Sequence, residues 1–581
     1  MKYLRIIILS FLTPMFSACD QPVQDGLPMT DPMSLQASLV DLSEQQLNQK
    51  ALSRAEHTIH RIQVDALPAS LKTRAYIATA QLKIAHHQEA EATATLSLAA
   101  TTAENDHSTA SKNLYKLLAK TAFDTGDRLK GTFWASKLSL CADTAPEDLL
   151  YHLILPLMHT PIQTLQSMWQ HSTDRTQQGW IALMLVAKQA NASSDISPYI
   201  SHWKTLYPNH PANRLLNMAG SPHDFPSAPI KNVTLLLPLS GPYHQQGQTV
   251  YHGILSAYYQ SAQFRPHLYI CDTYQFGSTG CYQQAVQHGS DLVIGPLLKQ
   301  NLARLIDTST LPIPTIALNH ASVPNTPSHL IEFGLFPEQE AEQIAAEMTN
   351  THIHKALLIR PDTPRGQRIA QAFSTAFTRN NGVVVATGVY ASPSSLASTL
   401  RETLKIKHSH QRALRIQQLL HTTMRYKERP RKDFDAIFLV ASAKAGQQIV
   451  PLLRYYFIHH TAIYATSDII TQPLLPRARK DLVGIVYPDA PLLQSHSHST
   501  TTVDAPAAPA LPITSRPYPK LYALGMDAFS LAPSINTLKQ LPYFPIPHAT
   551  GALYLPANQT IHRVFHFFAV TPSKIIEQRP S

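Results

Sequence analysis

Glycine is scarce in this chain, 20 residues among 581. A phosphate cradle needs glycines at fixed offsets so that backbone N–H groups can close on the ligand, and neither GxGxxG nor GxxxxGK[ST] occurs. Cysteine is scarcer, four residues with no CxxC pair, so a cysteine-paired zinc or redox motif is missing. HExxH and GxSxG are absent too, which removes the metalloprotease helix and the hydrolase nucleophile elbow. No cofactor is therefore expected.

What is present bounds the rest. With 44% apolar residues over 581 positions, there is room for three or four domains of about 150 residues, each able to bury a core. The opening MKYLRIIILSFLTPMFSAC puts Lys2 and Arg5 ahead of an apolar run from Ile6 to Leu12. Such a segment is an export signal, too short to remain as a membrane span. The small residues before Cys19 resemble the lipobox of bacterial lipoproteins. That resemblance implies removal of residues 1–18 and acylation of Cys19, each buried methylene contributing about 0.8 kcal/mol of membrane affinity. Residues 19–34, rich in Pro, Asp and Gly, read as a flexible spacer. The formal charge of +10 comes from 48 basic and 38 acidic residues, beside 29 histidines. On an exported, tethered chain that charge would meet anionic polymer or lipid rather than nucleic acid, and the plainer reading, which the composition favours, is solvated surface charge.

From 35 to 220 the pattern is helical. Leu71, Ala75, Ala78, Leu82 and Ala85 recur at spacings of four and three, and a second stripe is expected through Ala90, Ala94 and Leu98. Two more helices should meet at Asp124 to Asp127, and Thr144 with Glu147 has capping-box spacing. Paired helices repeating in this way predict a TPR-like solenoid, a surface for partners rather than for chemistry. Prolines mark a linker over 221–231. From 232 to 581 the period changes. VTLLLPL, HLYIC, DLVIGP, PTIALN, KALLIR, VVVATGVY, DAIFLV, AIYAT and LVGIVY alternate with helical segments, which predicts parallel strands buried on both faces in a two-lobed, doubly wound α/β region. A low-complexity insertion is expected at 495–520, and GALYLPANQTIHRVFHFFAV should close the chain as a β-hairpin.

Histidine pairs at 86–87 and 459–460, with His496 and His498, lack the convergent ligand set of a structural metal site, so no metal is expected. Ser240 and Ser467 lack a recognisable base. In an open α/β sheet, ligands collect beyond the carboxyl ends of the strands. Ser240, Gly241, Tyr243, Gln246, Gly295, Asn319 and Asp468 each follow an expected strand and are candidates to rim one crevice; the plainer reading is that Ser240 and Gly241 only make the turn and cap the helix. A bridge between Cys271 and Cys281 across an intervening turn is geometrically reasonable in an oxidising compartment, while Cys141 reads as a packed thiol.

Ordered blocks then become recognisable. They are LLLPLSGPY, DLVIGPLLKQNLARL, PTIALN, FGLFPEQEAEQIA, KALLIRP, RPRKDFDAIFLVAS, IYATSDI and GALYL followed by IHRVFHFFAV, preceded by WKTLYPNHPA at Trp203 to Ala212. Together they resemble the LpoA family, lipoprotein activators of class A penicillin-binding proteins. The resemblance implies a type I periplasmic-binding-protein fold for the α/β region. It also implies a non-enzymatic regulator, tethered in the outer membrane and facing the periplasm, that docks on a peptidoglycan synthase and stimulates its transpeptidase. Asp20, directly after the lipid cysteine, resembles an inner-membrane retention signal and keeps that placement open. The basic run with Arg425, Arg429, Arg431 and Lys432 falls where the family carries arginines and is a candidate docking surface; as a solvated loop it would do nothing. The rival expectation is a membrane-tethered solute receptor, since SGPY also opens receptors for branched-chain amino acids. A scaffold acting through the helices alone is a third.

Overall fold

The computed structural model describes residues 32–578 apart from 49–50, 87, 104–108, 142, 190–195, 219–229, 309, 322–326, 328, 352, 423–425, 427–428, 460, 471–473, 495–516 and 557–558. The expected signal, Cys19 and Asp20 lie outside the described residues, as do Arg425, most of the expected linker and residues 495–516 of the expected insertion. No described helix is long and apolar enough to cross a membrane. The chain divides into two compact units, one ending at Leu114 and one beginning at Tyr115.

The first unit is helical in its described residues. Helix Ala69–Ala85 buries Thr73, Ala75, Ile77, Ala78, Ala80 and Leu82 and packs on helix Glu89–Ala103. The small side chains let the two backbones approach. The expected second stripe lies on the wrong face: Ala94 and Leu98 are exposed, whereas Ala92, Leu96, Ala99 and Ala100 are buried. In EAEATATLSLAATTA small residues fill most positions, so hydrophobicity alone ranks the faces poorly and packing decides.

The second unit opens with further helices, among them Arg128–Leu140, Ile162–His171, Arg175–Gln189 and Ser197–Leu206. Asp127 caps the first of these by accepting the Lys130 N–H at 3.0 Å. The expected capping box at Thr144 does not form. Its hydroxyl donates to the Leu138 carbonyl at 2.8 Å, and the next helix starts behind Ala145 with Pro146 as its first residue; proline lacks the N–H that a cap would satisfy. His210 sits among Trp180, Trp203 and Tyr207, with ring centroids 5.3, 5.0 and 5.9 Å away. Its Nε2 lies 2.8 Å from the Thr176 carbonyl, and its Nδ1 accepts the Ala212 N–H at 3.1 Å. Those partners require the neutral tautomer protonated on Nε2. Burial pulls the ring down to about 4.

Beyond residue 230 the two-lobed architecture appears. The first lobe carries β1 (Asn232–Leu237), β2 (His267–Asp272), β3 (Leu292–Ile294), β4 (Thr315–Ala317) and β5 (Leu330–Glu332). The second carries β6 (Lys355–Pro361), β7 (Val383–Tyr390), β8 (Ala436–Leu439), β9 (Ala462–Ala465) and β10 (Ile485–Asp489). A small ribbon follows, β11 (Ile546–His548), β12 (Gly551–Tyr554) and β13 (His562–Val564), and then β14 (His566–Val570) and β15 (Ile575–Gln578) return to the second lobe. The sheet orders are β2-β1-β3-β4-β5, β15-β14-β10-β9-β8-β6-β7 and β11-β12-β13. The first is wholly parallel; the second is parallel except where β14 meets β10 and β15. All nine expected strands are present. Short β5 was not anticipated, and the expected terminal hairpin is divided at Phe565. Upstream of that residue β13 pairs with β12, and downstream β14 joins the other sheet.

The chain thus passes between lobes three times: after β5, between β10 and helix Pro519–Leu531, and at Phe565. Helix Pro519–Leu531 returns to the first lobe, where Leu524, Ala528 and Phe529 share a core with Val233, Val250 and Ile254. Gly253 and Gly525 allow its contact with helix His244–Gln260. A Cβ at Gly253 would stand 2.1 Å from the Tyr522 carbonyl, and one at Gly525 2.2 Å from that of Val250.

Candidate functional site

Because β1, β3 and β4 are adjacent and parallel, the segments after them gather at one edge of the first sheet. Ser240, Gly241 and Tyr243 lie in the loop after β1, Gln246 in the helix it leads to, Gly295 after β3 and Asn319 after β4. Their side chains are largely turned to holding those loops. The Ser240 hydroxyl donates to Asp272, which also accepts the N–H groups of Leu239 and Tyr274 at 3.0 Å. Those donors hold the Asp272 carboxyl below its ordinary value against the opposing effect of burial. Gly241 has φ +73° and lies under the Tyr274 ring, which a Cβ would meet at 2.5 Å. Gly295, at φ +116°, lies against the Leu236 carbonyl. Asn319 donates to the Leu297 carbonyl at 2.9 Å and accepts the His320 N–H. Tyr243 is half exposed, and the buried Gln246 Oε1 has no partner among the described residues. Asp468 belongs to the second lobe and pairs with Arg365 at 2.6 Å. A disulfide joins Cys271 to Cys281, from β2 to helix Thr273–Gln287 behind this edge, and Cys141 is buried.

Among the described residues, side chains of the two lobes meet between them. Glu340, in the first turn of helix Pro337–Asn350, accepts the Ser467 N–H at 2.8 Å and the Ser467 hydroxyl at 2.5 Å. Lys520, from the first lobe, reaches the same hydroxyl and stands 3.9 Å from Asp489. Burial raises the Glu340 and Asp489 carboxyls, with Lys520 opposing it at both. Asp489 also accepts the Ala490 N–H and a Gln494 amide hydrogen, each at 2.9 Å. On the ribbon, Arg563 is 1% exposed. It donates to the Thr550 hydroxyl at 3.0 Å and the Gly334 carbonyl at 2.8 Å, and its guanidinium lies over Phe333 and Phe565 at 5.2 and 5.7 Å. Burial pulls it down to about 10. Asp527 anchors the other end, accepting the Ala549 and Thr550 N–H groups and the Thr550 hydroxyl. Gln343 of the second lobe grips both sides of the third crossing, donating to the Arg563 carbonyl and accepting the Phe565 N–H. A cavity of about 30 Å³ remains among these groups. That holds about one water, whereas small-molecule sites run to about 300–1,000 Å³.

Sequence reading missed this network. Lys520 was assigned to the end of a low-complexity insertion and Arg563 to a hairpin. The signal available was a lone arginine among apolar strand residues, a residue type that is buried only when paired.

The larger cavity lies on the second lobe. It has a volume of about 440 Å³, between the start of helix Ile406–Leu420 and the segment leading to β8, and Lys405, Arg412, Arg429, Arg431, Lys432 and Asp433 line it. Of the expected basic run, Arg431 is not available to a partner. Its side chain is 9% exposed, it grips Asp433 through two hydrogen bonds of 2.6 and 2.7 Å, and its N–H donates to the Leu404 carbonyl. The arginine holds the Asp433 carboxyl down at about 2. Arg429 and Lys432 are exposed, and Arg412 joins them from the helix.

No group of three or more His, Cys, Asp or Glu placed to hold a metal occurs among the described residues. A family model described as "LppC putative lipoprotein" matches residues 35–571. The penicillin-binding protein activator LpoA of Vibrio antiquarius is 26% identical over 406 residues, covering 66% of this chain and 65% of that relative. The protein of the same name from Photobacterium profundum is 25% identical over 425 residues, covering 70% and 68%. The aligned part of this chain therefore spans about two thirds of the relatives' length. Among solved structures, full-length LpoA from Haemophilus influenzae has the same fold, with a TM-score of 0.52 at 20% identity over 94% of this chain and 95% of that one.

Proposed function

The chain belongs to the LppC lipoprotein family, and on that premise we propose that it is a non-enzymatic, lipid-anchored periplasmic regulator that docks on a class A penicillin-binding protein and stimulates its transpeptidase. The bond-forming chemistry belongs to the synthase. The activator contributes a difference in binding: it holds the active conformation of the synthase more tightly than the inactive one, and a tenfold shift between the two needs about 1.4 kcal/mol of such preference.

The observation that carries this reading over a tethered solute receptor is the filled space between the lobes. A solute receptor needs a ligand-sized opening between its lobes, and among the described residues Lys520, Glu340 and Arg563 line a cavity of only about 30 Å³ there, with Ser467 held by Glu340 and Lys520. The names of the Vibrio and Photobacterium relatives support the same role. The first helix already starts at Pro32, inside the expected spacer, so anchorage through acylated Cys19 with residues 19–31 as the spacer would let the body reach roughly 40 Å from the bilayer at about 3.3 Å per extended residue. The lipoprotein family supports a lipid anchor; on this reading it sits in the outer membrane, and Asp20 is the residue to change when sorting between the two membranes is tested.

Binding of the full chain to the organism's purified class A synthase tests the reading. Surface-immobilised activator is expected to capture the synthase at micromolar concentration or below. A chain that captures no synthase, yet gains thermal stability from free amino acids, would move the assignment to a receptor.

A further inference from the structure

The second-lobe cavity has a chemistry that neither the fold nor the filled cleft requires. Arg431 and Asp433 neutralise each other on its floor. Lys405 lies near enough to help hold Asp433 ionised. Arg412, Arg429 and Lys432 converge on the same cavity, and among the described residues no carboxylate pairs with any of the three. Two hydrogen bonds from backbone N–H groups fix the segment that carries Arg429 and Lys432: the Arg431 N–H to the Leu404 carbonyl at 2.9 Å, and the Arg429 N–H to the Ser409 hydroxyl at 3.1 Å. The concave cluster is therefore built and cationic.

An apolar ridge continues from it. Arg412, Ile416 and Leu419 follow at spacings of four and three, so they share one face of helix Ile406–Leu420. Ile416 is 45% exposed and Leu419 72%, on a helix whose buried contacts run through Ile406 and Ala413 instead. An isolated phosphate would leave that ridge uncovered, and a bilayer, flat on this scale, would not enter a 440 Å³ recess.

We propose that this pocket and ridge receive an acidic segment of a partner protein that also carries apolar residues. Its carboxylates enter among Arg412, Arg429 and Lys432, and its apolar side chains cover Ile416 and Leu419. On the activator reading, on which the partner's identity rests, the partner is the class A synthase.

The test compares four forms of the full chain in detergent: wild type, the pocket reversal Arg412→Glu, Arg429→Glu, Lys432→Glu, a control reversal of equal charge outside the pocket, Lys444→Glu, Arg477→Glu, Lys480→Glu, and a ridge variant, Ile416→Ser with Leu419→Ser. A fluorescent peptide of alternating glutamate and leucine, the purified synthase, and phosphatidylglycerol vesicles are the probes. The pocket reversal is expected to weaken peptide and synthase binding at least tenfold and the control less than twofold. Ile416→Ser with Leu419→Ser is expected to weaken both severalfold without altering the salt dependence. Unchanged circular dichroism establishes that the variants are folded. Equal losses in the two reversals, no peptide binding by wild type, or an effect confined to vesicles would overturn the proposal. Synthase binding that survives the pocket reversal overturns the pocket and leaves the activator reading standing. Peptide binding as expected, with synthase never bound by wild type, overturns the activator reading and leaves the pocket.

Discussion

Acidification from pH 7 to pH 4 tests the packing of His210 in the helical part of the second unit. The ring is protonated only on Nε2, because Nδ1 faces the Ala212 N–H at 3.1 Å and three aromatic rings exclude water. Its folded value is about 4, against about 6.5 in an unfolded chain. As the pH falls, the unfolded state takes up the proton first. The stability contributed by the neutral ring is therefore complete above about pH 6.5 and is lost as the pH drops toward 4. Two and a half units at 1.36 kcal/mol each come to about 3 kcal/mol. His152 and His562 are also pulled down to about 4 by burial and add losses of the same sign. The difference between wild type and His210→Gln isolates the one ring. Urea unfolding at half-unit pH steps should show the variant less stable at pH 7 but with a shallower fall, the gap narrowing by about 3 kcal/mol by pH 4. Parallel pH slopes, or an NMR titration placing the His210 ring above 6, would refute the reasoning.

Three further outcomes follow from single contacts. Gly179→Ala places a Cβ 2.4 Å from the His210 ring, and by thermal unfolding it should cost about 1–3 kcal/mol through overpacking; a cost under 0.5 kcal/mol, about the scatter of neutral surface changes, would contradict the contact. Arg563→Ala removes a buried cation from Thr550, Gly334 and two phenylalanine rings, and by urea unfolding should cost about 3–6 kcal/mol, two charge-assisted hydrogen bonds at about 1.5–3 kcal/mol each; a loss below about 1 kcal/mol, the size of an ordinary neutral hydrogen bond, would show that the arginine does not tie the crossings. Replacing Cys271 and Cys281 together by serine opens a loop of sequence separation 10, for which chain entropy gives about 2–3 kcal/mol; no change in stability would mean the pair is not bridged in solution.

The α/β half was legible because its strands are continuous apolar runs between helices, a pattern that survives any register. Strand β7, Val383–Tyr390, coincides with VVVATGVY to the residue. Three-residue β5 was too short to stand out between its neighbours. The divided hairpin was hidden because IHRVFHFFAV reads as one strand, and only the lobe geometry breaks it at Phe565. In the first unit, small residues on most faces of Glu89–Ala103 left the buried side to packing. The candidate site was legible only in part. Position beyond a strand locates Ser240, Gly295 and Asn319, but it does not say that the side chains of Ser240 and Asn319 are spent on neighbouring loops, or that Gly295 lies against the Leu236 carbonyl. The charges that fill the cleft come from four separate segments, at 340, 489, 520 and 563, so no local spacing joins them. The basic run was visible as composition. That Arg431 turns inward to Asp433 while Arg412 comes in from a helix some twenty residues earlier is a matter of tertiary structure.

The measurement that bears most directly on the central claim is peptide crosslinking by the organism's purified class A synthase, assayed on glycan strands with and without the acylated full chain. A higher crosslinked fraction is expected, one that saturates with added protein and falls when Arg412, Arg429 and Lys432 are reversed. Crosslinking unchanged at every ratio, with the synthase itself active, would contradict it.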